Sequence, residues 1–153
     1  MQEMKVSFDV IDAVRRSSSI LNKLSDEEIG DVLVRYKKFL SLAKSYMEEP
    51  LSPTKDIDEM WHLHMLRPLK YFFDCQSNFG ELMDHDGGFG NVDDEKAELE
   101  KIYKNTSELW EKEYGESFIP LDRDGELGKL FVRINGSNGF GIKPGIRVPK
   151  VQA

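Results

Sequence analysis

Hydrophobic residues recur at helical spacing along most of the chain. Val10, Ile11, Val14, Ser18, Leu21 and Leu24 predict a first helix over residues 8–24, weakened in its middle by the run Ser17-Ser18-Ser19. "SDEE" at 25–28 reads as a capping box, with Ser25 and Glu28 satisfying each other's backbone donors. Behind it, Ile29, Val32, Leu33, Tyr36, Phe39, Leu40, Ala43 and Met47 form a long apolar stripe that Pro50 should stop. A third helix is predicted to start near Pro53 or Thr54, with Asp56, Asp58 and Glu59 favouring its positive end. Pro68 disfavours helical geometry at Arg67, so a kink or break is expected there. A fourth helix then runs from Pro68 to about Phe79 and closes at Gly80. Residues 84–92 read as a loop. Asp93 caps a fifth helix whose Leu99, Ile102, Tyr103, Thr106, Leu109, Trp110 and Tyr114 share one face, ending at Gly115.

Beyond residue 116 the pattern changes. Half of the 12 glycines lie between 125 and 145, and "KLFVRING" alternates as a short strand does. The expected fold is therefore mainly α. It is a five-helix, bundle-like domain over 1–118, followed by a glycine-rich β or irregular extension over 119–153, packed on the domain or appended to it.

Composition narrows the class. A chain of 153 residues with 39% hydrophobic and 32% charged residues fits one soluble domain. No apolar run reaches the length of a membrane span, and the charged N-terminus lacks a signal-peptide core. A single cysteine, Cys75, excludes an internal disulfide and fits a reducing cytoplasm. The net charge of −7 argues against general nucleic-acid binding. The charge is uneven: five basic residues and no acidic ones follow Glu126, leaving 16 basic against 28 acidic groups in residues 1–126. Without interleaved aromatics, that basic tail is a thin nucleic-acid signal; lying against its own acidic domain accounts for it better.

The candidate chemistry sits in "DIDEMWHLHML" (56–66) and "LMDHDGG" (82–88), which hold all three histidines. On a helix, Ile57, Met60, Trp61 and His64 share one side, while Asp58 and His62 lie together on a flank. His62 and His64 point roughly 160° apart, so a regular helix cannot aim both at one ion. Two arrangements follow. In one, Asp58 and His62 join His85, with Asp84 or Asp86 nearby, once the glycine-containing loop folds back over the third helix. Two imidazoles and a carboxylate are the ligands of catalytic zinc and of non-haem iron sites. In the other, His64 meets Cys75 on the apolar side of the fourth helix, formed by Pro68, Phe72, Cys75 and Phe79. That pair would bind a soft metal or activate a thiolate. The bland alternative is a core histidine bonded to a carbonyl, an i,i+4 helix pair and a cysteine serving as filler. The spacing is neither HExxH nor CxxC.

"RYKKFLSL" (35–42), "PTKDIDEMWHLHMLRPLKYFFDC" (53–75), "FGELMDHD" (79–86) and "LWEKEYGESF" (109–118) occur in an order that resembles the glycine-rich domain protein-like family of plants and bacteria. The resemblance covers roughly residues 30–118. Its most specific part is the D-x-D-x-x-W-H-x-H-x-L-x-P-x-x-Y core, here Asp56, Asp58, Trp61, His62, His64, Leu66, Pro68 and Tyr71. It supplies no reaction, but it implies that the W-H-x-H segment and the later His-Asp belong together.

The reading that results is a metal- or small-ligand-binding helical domain. Asp58, His62, His64 and His85 are its candidate metal ligands, for zinc, iron or copper. Asp56, Trp61, Cys75 and Asp86 are supporting groups or alternative ligands. As an enzyme it would be a metal-dependent hydrolase or oxidase acting on a small molecule. The competing reading is a non-catalytic protein-interaction module in which the same cluster is structural.

Overall fold

In a computed structural model of the chain, residues 3–85 and 93–119 are described. Five α-helices are found among them: α1 (Val10–Arg15), α2 (Asp26–Ser45), α3 (Lys55–Met65), α4 (Pro68–Phe79) and α5 (Asp93–Tyr114). The mainly helical fold is as expected. The strand-like segment and the rest of the extension from residue 120 onward lie outside the described residues.

The first helix is shorter than its apolar spacing predicts. Asp9 caps it, but it ends at Arg15, and a separate 3-10 helix follows at Ile20–Lys23. The serines explain the break, because their hydroxyls compete for backbone groups. Ser17 Oγ donates to the Val14 carbonyl at 2.7 Å and accepts from the Ser19 amide, and Ser19 Oγ accepts from the Leu21 amide. Arg15 then ties the two pieces to the start of α2 through the carbonyls of Asn22 and Leu24 and the Asp26 carboxylate.

The capping box of α2 is present in both directions. This helix stops at Ser45, five residues before the proline expected to end it. The early exit lets the connector fold inward, where Leu51, Ser52 and Thr54 are all buried. Tyr46 and Tyr114 close this end of the molecule, donating to Glu113 and to the Lys38 carbonyl respectively.

Thr54 precedes α3 but makes no side-chain cap, because its hydroxyl is engaged elsewhere: it donates to Asp56 and accepts from Arg35. The break at Arg67 forms as expected, with φ −113° and ψ 75°, and Pro68 opens α4. Gly80 ends α4 in the left-handed region at φ 73°. The buried face of α4 differs from the predicted one. Tyr71, Asp74, Cys75, Asn78 and Phe79 point inward, while Pro68 is exposed and Phe72 half-buried. The helix turns to seat two hydrogen-bonding side chains, Asp74 and Asn78, against the N-terminal segment. A purely hydrophobic count cannot anticipate that.

Helix α2 is the hub, packing on α1, α3 and α5, while α3 also contacts α4 and the 3-10 helix. Helix α5 faces the core with Ile102, Thr106 and Trp110. After Gly115 (φ 65°), Phe118 returns to pack on Trp110, their ring centroids 4.9 Å apart.

Candidate metal centre

Asp58 and His62 stand one turn apart on the same flank of α3, as their spacing predicts. What brings His85 to them is a chain of contacts across the α3–α4 corner. Trp61 Nε1 donates to Tyr71 Oη at 2.9 Å, and Tyr71 Oη donates to the Met83 carbonyl at 2.6 Å. Tyr71 therefore holds the chain two residues before His85. The His85 imidazole then stacks on the Trp61 indole, 4.1 Å between centroids and 8° from parallel. Burial pushes the Tyr71 hydroxyl well above its usual pKa, so it stays a donor.

Three donor atoms converge. His85 Nε2 is 2.7 Å from Asp58 Oδ1 and 3.1 Å from His62 Nε2, and the His62 Nε2–Asp58 Oδ1 separation is 3.4 Å. The Asp58 and His85 side chains are each 1% exposed, whereas His62 is 41% exposed and forms the mouth of the site. Burial alone would raise the Asp58 pKa. The hydrogen bonds and charges of His62 and His85 outweigh it and hold the carboxyl below its ordinary value. The same hydrogen bond to Asp58 raises His62, against a smaller effect of burial. An ionised carboxylate thus sits against two imidazoles. Among the described residues, Asp58, His62 and His85 form a group able to hold a metal ion.

His64 is not part of it. Expected among the metal ligands, it points to the opposite side of α3, and both its ring nitrogens are occupied. Tyr36 Oη lies 2.8 Å from Nδ1, and Asp74 Oδ2 lies 2.8 Å from Nε2. An ionised carboxylate can only accept, so Nε2 carries the proton and donates to Asp74, leaving Nδ1 to accept from the tyrosine. Asp74 Oδ2 also accepts from the amide and hydroxyl of Ser7, and Phe8 packs on the imidazole at 5.1 Å. Burial lowers the His64 pKa more than Asp74 raises it.

The expected His64–Cys75 pair does not form, because the neighbouring Asp74 has taken the imidazole. Burial raises the Cys75 thiol pKa, which disfavours a thiolate. Asp56 is likewise elsewhere, held by Arg35 Nε at 2.8 Å. Arg35 also donates to the Phe118 carbonyl at 3.0 Å and lies over the Trp110 ring. Asp86 and the glycines at 87, 88 and 90 lie outside the described residues.

Sequence reasoning missed Arg35, Tyr36, Tyr71 and Asp74 as organisers. A signal was available: each is a polar or ionisable group on a face that its own helix buries.

Residues 1–74 match the family model of the glycine-rich domain-containing protein-like family. The match includes Asp58, His62 and His64 and stops before His85. Glycine-rich domain-containing protein 1 of Arabidopsis thaliana is 29% identical over 126 residues, covering 74% of this chain and 15% of that protein. Glycine-rich domain-containing protein 2 of the same plant is 28% identical over 129 residues, covering 76% of this chain and 16% of that protein. The alignments therefore span only a small part of those longer proteins. No solved structure matches the chain. Over residues 1–74, the chain is similar to the glycine-rich domain-containing protein-like family.

Proposed function

We propose that Asp58, His62 and His85 hold a divalent transition metal, and that the domain works as a metal-binding, metal-dependent unit. The observation that carries this is the triangle of donor atoms. Its edges of 2.7, 3.1 and 3.4 Å approach the edges of about 2.9–3.4 Å between ligands bonded at about 2.0–2.1 Å to one ion. A second support is Asp58 Oδ2, which is buried with no hydrogen-bond partner among the described residues. A carboxylate so placed gains from a cation beside it.

Two imidazoles and one carboxylate, with no thiolate, favour zinc or ferrous iron. Such an ion, when bound, would supply an activated water or a site for oxygen chemistry. The chain's own contributions are separate. Asp58 provides the negative charge, Trp61 fixes the His85 ring plane by stacking, and Tyr71 holds the chain that delivers it. The partly exposed His62 side leaves room for a further ligand or a small substrate. Asp58 and His85 are closed to solvent, so access is from one direction only.

The test is elemental analysis of the untagged full chain by mass spectrometry, on wild type and on His62→Ala, His85→Ala and His64→Gln. Near-stoichiometric metal in wild type and His64→Gln, absent from the other two, is the expected result. Metal absent from every sample, with both alanine variants strongly destabilised, would overturn the reading and leave the cluster as a structural pin of an interaction module. Chelation divides the remaining cases, since a structural ion takes the fold with it and a working ion does not.

A further inference from the structure

We propose that the corner between α3 and α4 is a docking surface for an anionic lipid layer. Leu66, Leu69 and Phe73 are 73%, 73% and 62% exposed, the three most open of the four exposed large hydrophobic residues among those described. They lie within eight residues of one another across the corner, Leu69 and Phe73 one turn apart on α4. Leu66 caps α3, Leu69 lies in the first turn of α4, and Phe73 is one turn further on. Contiguous exposed apolar side chains of this size mark a contact site, whereas single ones do not.

The charge along this stretch of the chain points to the partner. The chain is strongly acidic, yet residues 60–73 contain no Asp or Glu while supplying Arg67 and the exposed Lys70. An apolar corner that carries Arg67 and Lys70 in a stretch without acidic residues, on a protein of net charge −7, complements a surface that is negative outside and apolar beneath. Arg67 is also anchored in place, donating to the Leu63 carbonyl at 2.9 Å with its guanidinium over Phe8.

Size argues against the obvious competitor. Three exposed side chains are few beside the roughly 20–30 residues a side of a stable dimer interface. A bilayer deforms around a protruding tip and needs no matching pocket. No helix among the described residues is long and apolar enough to cross a membrane, so the contact is interfacial. Asp58, His62 and Leu66 follow one another at four-residue spacing on α3. Docking therefore brings the mouth of the histidine cluster to the headgroup layer.

Co-sedimentation of the full chain with vesicles tests this, in chelator so that metal binding plays no part. Wild type should pellet with phosphatidylcholine vesicles containing phosphatidylserine, less so at high salt, and stay in solution with phosphatidylcholine alone. Leu69→Glu/Phe73→Glu should lose the interaction and Lys70→Glu should weaken it. Val34→Glu, at the exposed hydrophobic residue on α2, should bind as wild type does. Wild type remaining in the supernatant with anionic vesicles would overturn the proposal, as would undiminished binding by the double variant. A wild-type dimer that the double variant converts to monomer, with neither pelleting, would instead assign the patch to a second copy of the chain.

Discussion

The pKa values of His62 and His64, two residues apart, are pushed in opposite directions. Asp58 accepts from His62 and raises its pKa, while burial lowers that of His64 despite its bond to Asp74. In metal-free protein, the imidazole resonances followed by NMR should give His62 a midpoint above about 6.5, the ordinary histidine value, and His64 one below it. Stability follows with the corresponding signs. The raised pKa of His62 contributes stability below about pH 6.5 that is lost as pH rises through its folded value. The lowered pKa of His64 contributes stability above about pH 6.5 that is lost as pH falls through its folded value. Overlapping midpoints for the two rings would contradict their assignment to separate environments. The opposition was legible in helical periodicity, which sets the two side chains on opposite sides of α3. Which carboxylate each would meet was not, since Asp74 belongs to another helix.

Between elements, Arg35 does for α2, α3 and the chain after α5 what Tyr71 does for the Asp58–His62–His85 cluster. It reaches from α2 to Asp56 at the start of α3 and to the Phe118 carbonyl beyond α5, over the Trp110 ring. Removing it leaves the fully buried Asp56 carboxylate without its cation. Arg35→Ala should therefore cost about 3–5 kcal/mol in urea unfolding. Arg35→Met/Asp56→Leu should recover a large part of that loss, because it removes both charges together. A double variant no more stable than Arg35→Ala would show that the arginine acts through its other contacts instead. The helices themselves were largely readable. The capping box, the break at Arg67 and the glycine stops at 80 and 115 all depend on local backbone chemistry. The split of the first helix depends on serine hydroxyls capturing nearby backbone groups, and the early end of α2 on where the buried connector must go.

For the whole molecule, the N-terminal segment is held to the outer helix by two side chains that the hydrophobic pattern would have placed outside the core. Asn78 accepts from the Lys5 amide and donates to the Lys5 carbonyl, while Asp74 accepts from Ser7. This strap seats Met4 and Phe8 in the core, Phe8 against His64. Asn78→Ala should lower stability by about 1–3 kcal/mol and raise amide exchange at Lys5. Unchanged exchange at Lys5 would mean that the segment is held by Met4 and Phe8 alone. By itself the sequence determined the helical class, most helix ends and the pairing of Asp58 with His62, since these rest on interactions within a few residues. Only the tertiary structure decided that His85 completes their cluster, that His64 and Asp56 serve other partners, and that Cys75 has no histidine. Those outcomes turn on how α3 and α4 cross and on which buried polar groups must satisfy one another. Neither is encoded in the spacing of any single segment.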